Sequence, residues 1–161
     1  MSKTIATLMM AGALVSGTLV ATGVALSSPV AAKGPVAKTI TVQMKDIGPD
    51  GAMAFVPGFI TANPGDTVHF VPASPSHNAE TIASMLPAGV TPSKGMIGKP
   101  FDLVVTAPGV YGIKCTPHYS MGMVARVQVG KGPSANLAAA RAAKLPPFAQ
   151  KRMALYLAKA Q

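Results

Sequence analysis

Apolar and polar residues alternate along the chain from about residue 38, which is the pattern of a β-strand with one buried face. Ile40, Val42 and Met44 fall on one side of this strand, and polar residues lie between them. Because side chains of a strand point alternately to its two faces, the three apolar residues are expected to face a core. Further short apolar segments follow at 54–60, 67–71, 101–106, 110–115 and 123–129. The pattern therefore predicts a domain built mainly from short strands.

Residues suited to tight turns separate these segments. They are GPDG at 48–51, NPGD at 63–66 and the pair Pro108-Gly109. Proline, glycine, asparagine and aspartate each favour turn geometry for a separate physical reason. Short strands at this spacing favour an antiparallel sandwich or barrel, so the expected fold class is all-β.

The composition changes after Gly132 to alanine, lysine, leucine and arginine, which favours helix. Ser134 is the expected N-cap of a first helix, and Pro147 suits the first turn of a second. The last segment mixes basic residues with an apolar set, Met153, Leu155, Tyr156 and Leu157. A two-helix extension at about 134–160, with its apolar face packed on the sandwich, is the simplest outcome.

Residues 1–32 have the layout of a secretory signal peptide. Lys3 is their only charged residue, an uncharged run covers 4–26, and small residues end at Ala32. Cleavage after Ala32 leaves one domain over 33–161, with the sandwich at about 38–130. An uncleaved membrane anchor is the alternative, but glycine, serine, threonine and alanine dilute the apolar run. We expect export, with no stable membrane association after cleavage.

Net charge indicates which class of partner the protein binds, and cysteine content indicates how its thiol is protected. The 161 residues carry a formal net charge of +9 at pH 7, which suggests an acidic or anionic partner. The lysines and arginines are scattered singly, and together with export this argues against nucleic acid. The single cysteine, Cys115, cannot form an internal disulfide, so either burial or a bound metal is expected to protect it.

The segment from Cys115 to Met123, CTPHYSMGM, concentrates soft ligand atoms after an expected strand. One thiol, one imidazole and two thioethers lie in this single loop. Such a loop can direct Cys115, His118 and one methionine toward a common point. The local spacing does not decide whether Met121 or Met123 supplies the thioether.

A further ligand has to come from outside this loop, where the sequence has two other histidines. His69 lies between Val68 and Phe70 in an expected strand, so alternation turns its side chain toward solvent. His77 lies in a Ser-Pro-Ser-His-Asn loop that can meet Cys115 from the end of a neighbouring strand, and it is the better candidate. Two imidazoles, a thiolate and a weak thioether form a blue-copper ligand set and suit neither a hard cation nor a structural zinc.

The segments DGAMAFVPGFI, NPGDTVHFVP, SHNAETI and KCTPHYSMGM resemble the cupredoxin family, and within it the pseudoazurin branch, in the same order along the chain. The resemblance runs from about Thr39 onward and includes the helical tail. It implies a Greek-key β-sandwich of about eight strands in two sheets. It also implies one type 1 copper ion, cycling between Cu(I) and Cu(II), held by His77, Cys115, His118 and Met123.

What the resemblance implies about function is a soluble periplasmic electron carrier, not an enzyme. Its acceptor would be a copper nitrite reductase or a similar terminal reductase, and its donor a cytochrome-type protein. A monomer is the default expectation for a carrier that must dissociate quickly from its partners. A periplasmic copper chaperone or storage protein is the alternative, although the methionines outside the loop are dispersed and form no cluster. A copper enzyme would need an open coordination position.

The resemblance also assigns supporting roles. Asn78 would stiffen the site through a hydrogen bond near the cysteine sulfur, and Pro117 would shape the ligand loop. Lys94 and Lys114 would belong to a ring of lysines that steers acidic partners. Relatives often carry lysine at two positions where this chain has isoleucine or proline, Ile47 and Pro75. We therefore expect fewer lysines in this ring than in relatives.

Overall fold

The structure, a computed structural model, describes residues 36–159 of the chain. The proposed signal peptide at 1–32 lies outside the described residues. The strands are β1 (Thr39–Gly48), β2 (Gly51–Val56), β3 (Phe59–Ala62), β4 (Thr67–Pro72), β5 (Glu80–Thr81), β6 (Phe101–Val104), β7 (Gly109–Lys114) and β8 (Val124–Val129). The α-helices are α1 (Leu137–Ala142) and α2 (Pro147–Leu157), and a short 3₁₀ helix covers Ala83–Met85. Within the described part of the chain, no helix is long and apolar enough to cross a membrane.

The eight strands form two four-stranded sheets, in the orders β2-β1-β4-β6 and β3-β8-β7-β5. The main core contains buried side chains from both sheets, such as Val42 and Phe70 from the first and Tyr111 and Val127 from the second. The alternation expected for β1 is confirmed, because Val42 is fully buried while the polar residues beside it are exposed. The sandwich fold expected from the sequence is therefore present.

The apolar segment at 54–60 is not one strand. The chain leaves the first sheet after Val56 and enters the second at Phe59, so β2 and β3 belong to different sheets. Pro57 lies between them, and proline cannot donate a ladder hydrogen bond. Apolar content alone could not reveal this crossing, since both strands contribute side chains to the same core.

The sheets are mixed rather than purely antiparallel. β1 pairs with β4 in parallel, and β3 pairs with β8 in parallel. Alternation of apolar residues has no direction, which is why the sequence pattern could not distinguish these pairings. The β1–β4 pairing has a consequence for the site: Ala73 N–H donates to Met44 O at 2.9 Å, so the loop after β4 begins beside the end of β1.

The helical tail packs on the second sheet. Met153, Tyr156 and Leu157 of α2 are buried in a second cluster that includes Val124 of β8, whereas Leu155 is exposed. The expected apolar docking face is confirmed for the three buried residues. Their burial is what holds the tail against the sandwich.

The expected start of α2 at Pro147 is confirmed, but the expected N-cap at Ser134 is wrong. α1 begins at Leu137, and the preceding Asn136 binds strand β7 instead of capping the helix. Val110 N–H donates to Asn136 Oδ1 at 2.9 Å, and Asn136 Nδ2 donates to Val110 O at 2.7 Å. Tertiary contact with a strand edge therefore replaces local capping here.

Candidate metal centre

The ligand loop, defined as Cys115–Met123, joins the adjacent strands β7 and β8 and closes on itself through backbone hydrogen bonds. Cys115 N–H donates to Met123 O at 3.0 Å, and Met123 N–H donates to His118 O at 3.1 Å. The antiparallel pairing of Lys114 with Val124 continues directly into this closure. The spacing of the three ligand candidates in the sequence is thus converted into a fixed spatial arrangement.

Three predicted ligands converge at this loop. The Nδ1 atoms of His77 and His118 lie 3.2 Å apart, and Cys115 Sγ lies 3.8 Å from the first and 3.5 Å from the second. The three donor atoms lie within 4.8 Å of one another. His77 and Cys115 are fully buried, while His118 is partly exposed. A thiol and two imidazoles facing one point form a donor set that fits copper.

The two methionines of the ligand loop have opposite environments. Met123 is fully buried in the same core cluster as Cys115, whereas Met121 is 50% exposed. The backbone of Met123 is also hydrogen-bonded to both Cys115 and His118. Burial beside the thiol therefore favours Met123 as the thioether ligand, a choice that the spacing left open.

Asn78 connects the loop that carries His77 to the ligand loop. Its side-chain oxygen accepts a hydrogen bond from Thr116 N–H at 2.8 Å, and its Nδ2 donates to Gly95 O at 3.0 Å. Asn78 is itself fully buried. Because Thr116 follows Cys115 directly, these bonds fix the position of His77 relative to the thiol.

Burial perturbs both of the enclosed ligand candidates. It raises the pKa of the Cys115 thiol, although the backbone N–H groups of Asn78 and His118 act in the opposite direction. It lowers the pKa of His77, against the effect of the Asp46 carboxylate. A neutral imidazole is ready to ligate a metal, whereas a buried thiolate needs a cation beside it.

His69 is not part of this cluster. Its ring is half-buried on β4 and its Nδ1 contacts the carboxylate of Asp102 on β6. The expected outward orientation of His69 is confirmed, and its exclusion from the metal site stays a prediction. Alternation along β4 placed it correctly, since Val68 and Phe70 on either side are buried.

The two lysines assigned to the steering ring are tied to one carboxylate. Glu80 Oε2 lies 3.0 Å from Lys94 Nζ, and Glu80 Oε1 lies 3.1 Å from Lys114 Nζ. Partial burial would raise the pKa of Glu80, but hydrogen bonds from Thr116, Lys94 and Lys114 outweigh it and lower this pKa to about 2. Glu80 is therefore ionised at neutral pH and offsets part of the lysine charge, which sequence reasoning missed.

Sequence reasoning also missed Asp46. Its Oδ1 lies 3.0 Å from Nε2 of His77, the ring nitrogen that faces away from the thiol. This contact has the distance of an ion pair, although its angles are not those of a regular hydrogen bond. Asp46 is distant in sequence and becomes a neighbour only through the β1–β4 pairing. No local motif could have identified it.

Comparison with known proteins agrees with this geometry. The family model of "copper binding proteins, plastocyanin/azurin family" matches residues 42–130. A pseudoazurin of Paracoccus pantotrophus is 51% identical over 122 residues, which cover 76% of this chain and 83% of that protein.

Solved structures give the same result. The crystal structure of pseudoazurin from Methylobacterium extorquens AM1 matches with a TM-score of 0.73 and 40% identity over 76% of this chain and 99% of the other. Native pseudoazurin from Hyphomicrobium denitrificans matches with a TM-score of 0.71 and 40% identity over 76% and 98%. The chain therefore belongs to the plastocyanin/azurin family of copper-binding proteins, the cupredoxins, which are electron carriers with one type 1 copper ion rather than enzymes.

Proposed function

We propose that His77, Cys115, His118 and Met123 hold the copper ion, and that the protein carries single electrons between partner proteins. The observation that carries this proposal is the convergence of Cys115 Sγ and the two Nδ1 atoms within 4.8 Å. Bound copper supplies a one-electron Cu(I)/Cu(II) couple at this point. The buried Met123 completes the set with a thioether.

The protein residues hold the site in one arrangement. His77 is fixed through its neighbour Asn78, and the loop from Cys115 to Met123 is closed by its own backbone hydrogen bonds. Because the ligand candidates are held in place, little structural change accompanies the gain or loss of one electron, and this favours fast electron transfer. His118 is the one partly exposed member of the four ligand candidates, so we assign electron exit to its side of the loop.

Exposed apolar side chains lie next to site residues along the chain. Ile47 follows Asp46 and is 79% exposed, and Met121 belongs to the ligand loop. Met96 and Ile97, which are 73% and 56% exposed, lie between two glycines bonded to the His77 loop: Gly95 N–H donates to Ala79 O and Gly98 N–H to His77 O. Exposed apolar side chains around a redox site suit a transient docking surface.

Without Lys3 of the proposed signal peptide, the protein carries a formal net charge of +8, which favours an acidic partner. We infer that the electron acceptor is a copper nitrite reductase or a similar terminal reductase, and that a cytochrome-type protein is the donor. The carrier would work in the periplasm as a monomer after removal of the signal peptide at 1–32. A copper chaperone or store would need a labile, exposed site, which the full burial of His77 and Cys115 disfavours.

The proposal is tested by loading the protein with one equivalent of Cu(II) and recording visible absorption and electron paramagnetic resonance. We expect intense absorption in the orange-red, narrow copper hyperfine splitting and reversible bleaching by ascorbate. Met123→Leu should change the spectrum, whereas Met121→Leu in the same loop should leave it unchanged. A weak spectrum with labile copper would contradict the proposal, and equal effects of the two variants would remove Met123 from the ligand set.

Electrostatic steering predicts opposite effects for two variants of one ion-pair network. Lys114→Gln should slow association with a copper nitrite reductase severalfold at low ionic strength, and Glu80→Gln should speed it. Both differences should shrink as the salt concentration is raised. Salt screens the interaction between charges on the two proteins, and the screening length is about 10 Å at 0.1 M. The measurement is stopped-flow electron transfer as a function of ionic strength.

The matched control is Lys38→Gln, which removes the same charge just before β1 begins, whereas Asp46 lies near the other end of that strand. At about 3.3 Å per residue, this places Lys38 roughly 26 Å from Asp46, which contacts His77. Lys38→Gln should therefore have a much smaller effect than Lys114→Gln. Equal slowing by both would mean that net charge, and not the Glu80 network, governs association.

A further inference from the structure

The Asp46 carboxylate lies beside His77, on the side of the imidazole ring that faces away from the other ligand candidates. Its Oδ1 lies 3.0 Å from Nε2 of His77, and the His77 side chain is fully buried whereas that of Asp46 is 56% exposed. The opposite ring nitrogen, Nδ1, faces Cys115 Sγ and His118 Nδ1. The imidazole is thus held between the carboxylate on one side and the other ligand atoms on the other.

One further contact holds the carboxylate in this place, and one backbone hydrogen bond holds the neighbouring loop. Ser74 Oγ donates to Asp46 Oδ1 at 3.1 Å, and Ser74 lies on the same loop as His77. The β1–β4 pairing extends to the bond between Ala73 N–H and Met44 O, which sets that loop against the end of β1. The contact between Asp46 and His77 therefore follows from the sheet register and is not a chance encounter of surface side chains.

We propose that Asp46 is a positioning residue for His77 and that its negative charge, placed beside Nε2–H, lowers the reduction potential of the copper centre. The proposal rests on the ligand set proposed above. A histidine that ligates through Nδ1 keeps its proton on Nε2, and the carboxylate is the charged group that the structure places within 3.0 Å of that nitrogen. A carboxylate beside Nε2–H makes the imidazole a stronger donor to the metal and favours one orientation of its ring.

The direction of the effect follows from charge. The oxidised centre carries one more positive charge than the reduced centre, so a stronger donor and a nearby negative charge stabilise it more. Asp46→Asn keeps an acceptor oxygen but loses the charge, and the reduction potential should rise. For a one-electron couple, each tenfold loss of Cu(II) affinity relative to Cu(I) corresponds to about 59 mV.

The chain offers a matched control in its second aspartate–histidine pair. Asp102 contacts Nδ1 of His69, which lies outside the ligand cluster. Asp102→Asn removes the same charge from the same sheet as Asp46→Asn without touching a ligand. Voltammetry should give a raised potential for Asp46→Asn and a nearly unchanged one for Asp102→Asn. Equal shifts in the two variants would overturn the proposal.

A second measurement reads the protonation state of His77. In the diamagnetic Cu(I) protein, nitrogen NMR should find Nε2 of His77 protonated and Nδ1 unprotonated, with the Nε2–H resonance shifted by the nearby Asp46 carboxylate and restored toward its ordinary position in Asp46→Asn. An unprotonated Nε2 would overturn the proposal. Failure of the proposed function would look different, because the wild-type protein would then lack the intense blue spectrum. A blue protein with unaltered potential in Asp46→Asn would contradict this inference alone.

Discussion

Cys115→Ser is expected to abolish the intense visible absorption of the copper-loaded protein. The thiolate supplies the charge-transfer band, and a hydroxyl is both a harder donor and far less acidic than a thiol. The fold should survive, because serine is similar in size and the N–H groups of Asn78 and His118 that face the sulfur can bind its oxygen instead. Burying a hydroxyl here should cost no more than about 1–3 kcal/mol.

The measurement combines visible and paramagnetic resonance spectra after addition of one equivalent of Cu(II), with circular dichroism to check the fold. His69→Gln is the control, since His69 lies outside the ligand cluster and should keep the full colour when replaced. A folded Cys115→Ser protein that stays intensely blue would exclude Cys115 as the ligand. Loss of colour in His69→Gln would show that the colour reports general destabilisation.

Arg152→Met is expected to produce the largest loss of stability among exposed or half-buried positions of the tail. Arg152 lies on α2, and its guanidinium donates to backbone oxygens of four residues outside the tail. They are Met53 at 2.6 Å, Gly122 at 2.7 Å, Ala52 at 2.9 Å and Asp50 at 3.2 Å. One side chain thus joins the helix to the start of β2 and to the ligand loop.

Methionine preserves much of the volume but leaves these carbonyl groups without their charged donor. We expect a loss of about 2–4 kcal/mol in the free energy of unfolding, measured by urea denaturation of the copper-free protein so that metal affinity does not contribute. Lys151→Met is the control, because Lys151 is exposed on the same helix. It should change stability by no more than about 0.5 kcal/mol. An equally small change in the free energy of unfolding for Arg152→Met would show that these hydrogen bonds do not hold the tail in place.

The candidate site was largely predictable because most of its donor residues lie close together in the sequence. The ligand loop places a thiol, an imidazole and a thioether between two paired strands, and any closure of that hairpin brings the three close together. His77 could be preferred over His69 because strand alternation turns one of the two outward. The local pattern did not decide between Met121 and Met123, since burial depends on what packs over the loop.

Other features depended on contacts between distant segments. The apolar run at 54–60 divides between two sheets, and the parallel pairing of β1 with β4 has no signature in an alternating pattern. Ser134 had the composition of an N-cap, but Asn136 at the actual start of α1 binds the edge of β7. In each case a tertiary contact outweighs a local preference.

The sequence by itself determined the class of fold, the concentration of soft donor residues in one loop and the helical nature of the tail, because strand alternation, residue spacing and helix-forming composition are local properties. The tertiary structure decided which charges act on that site. Glu80 neutralises part of the charge of Lys94 and Lys114, and Asp46 reaches His77, only because strand pairing brings distant segments together. Electrostatic contacts of this kind depend on distance in space, and separation along the chain does not encode that distance.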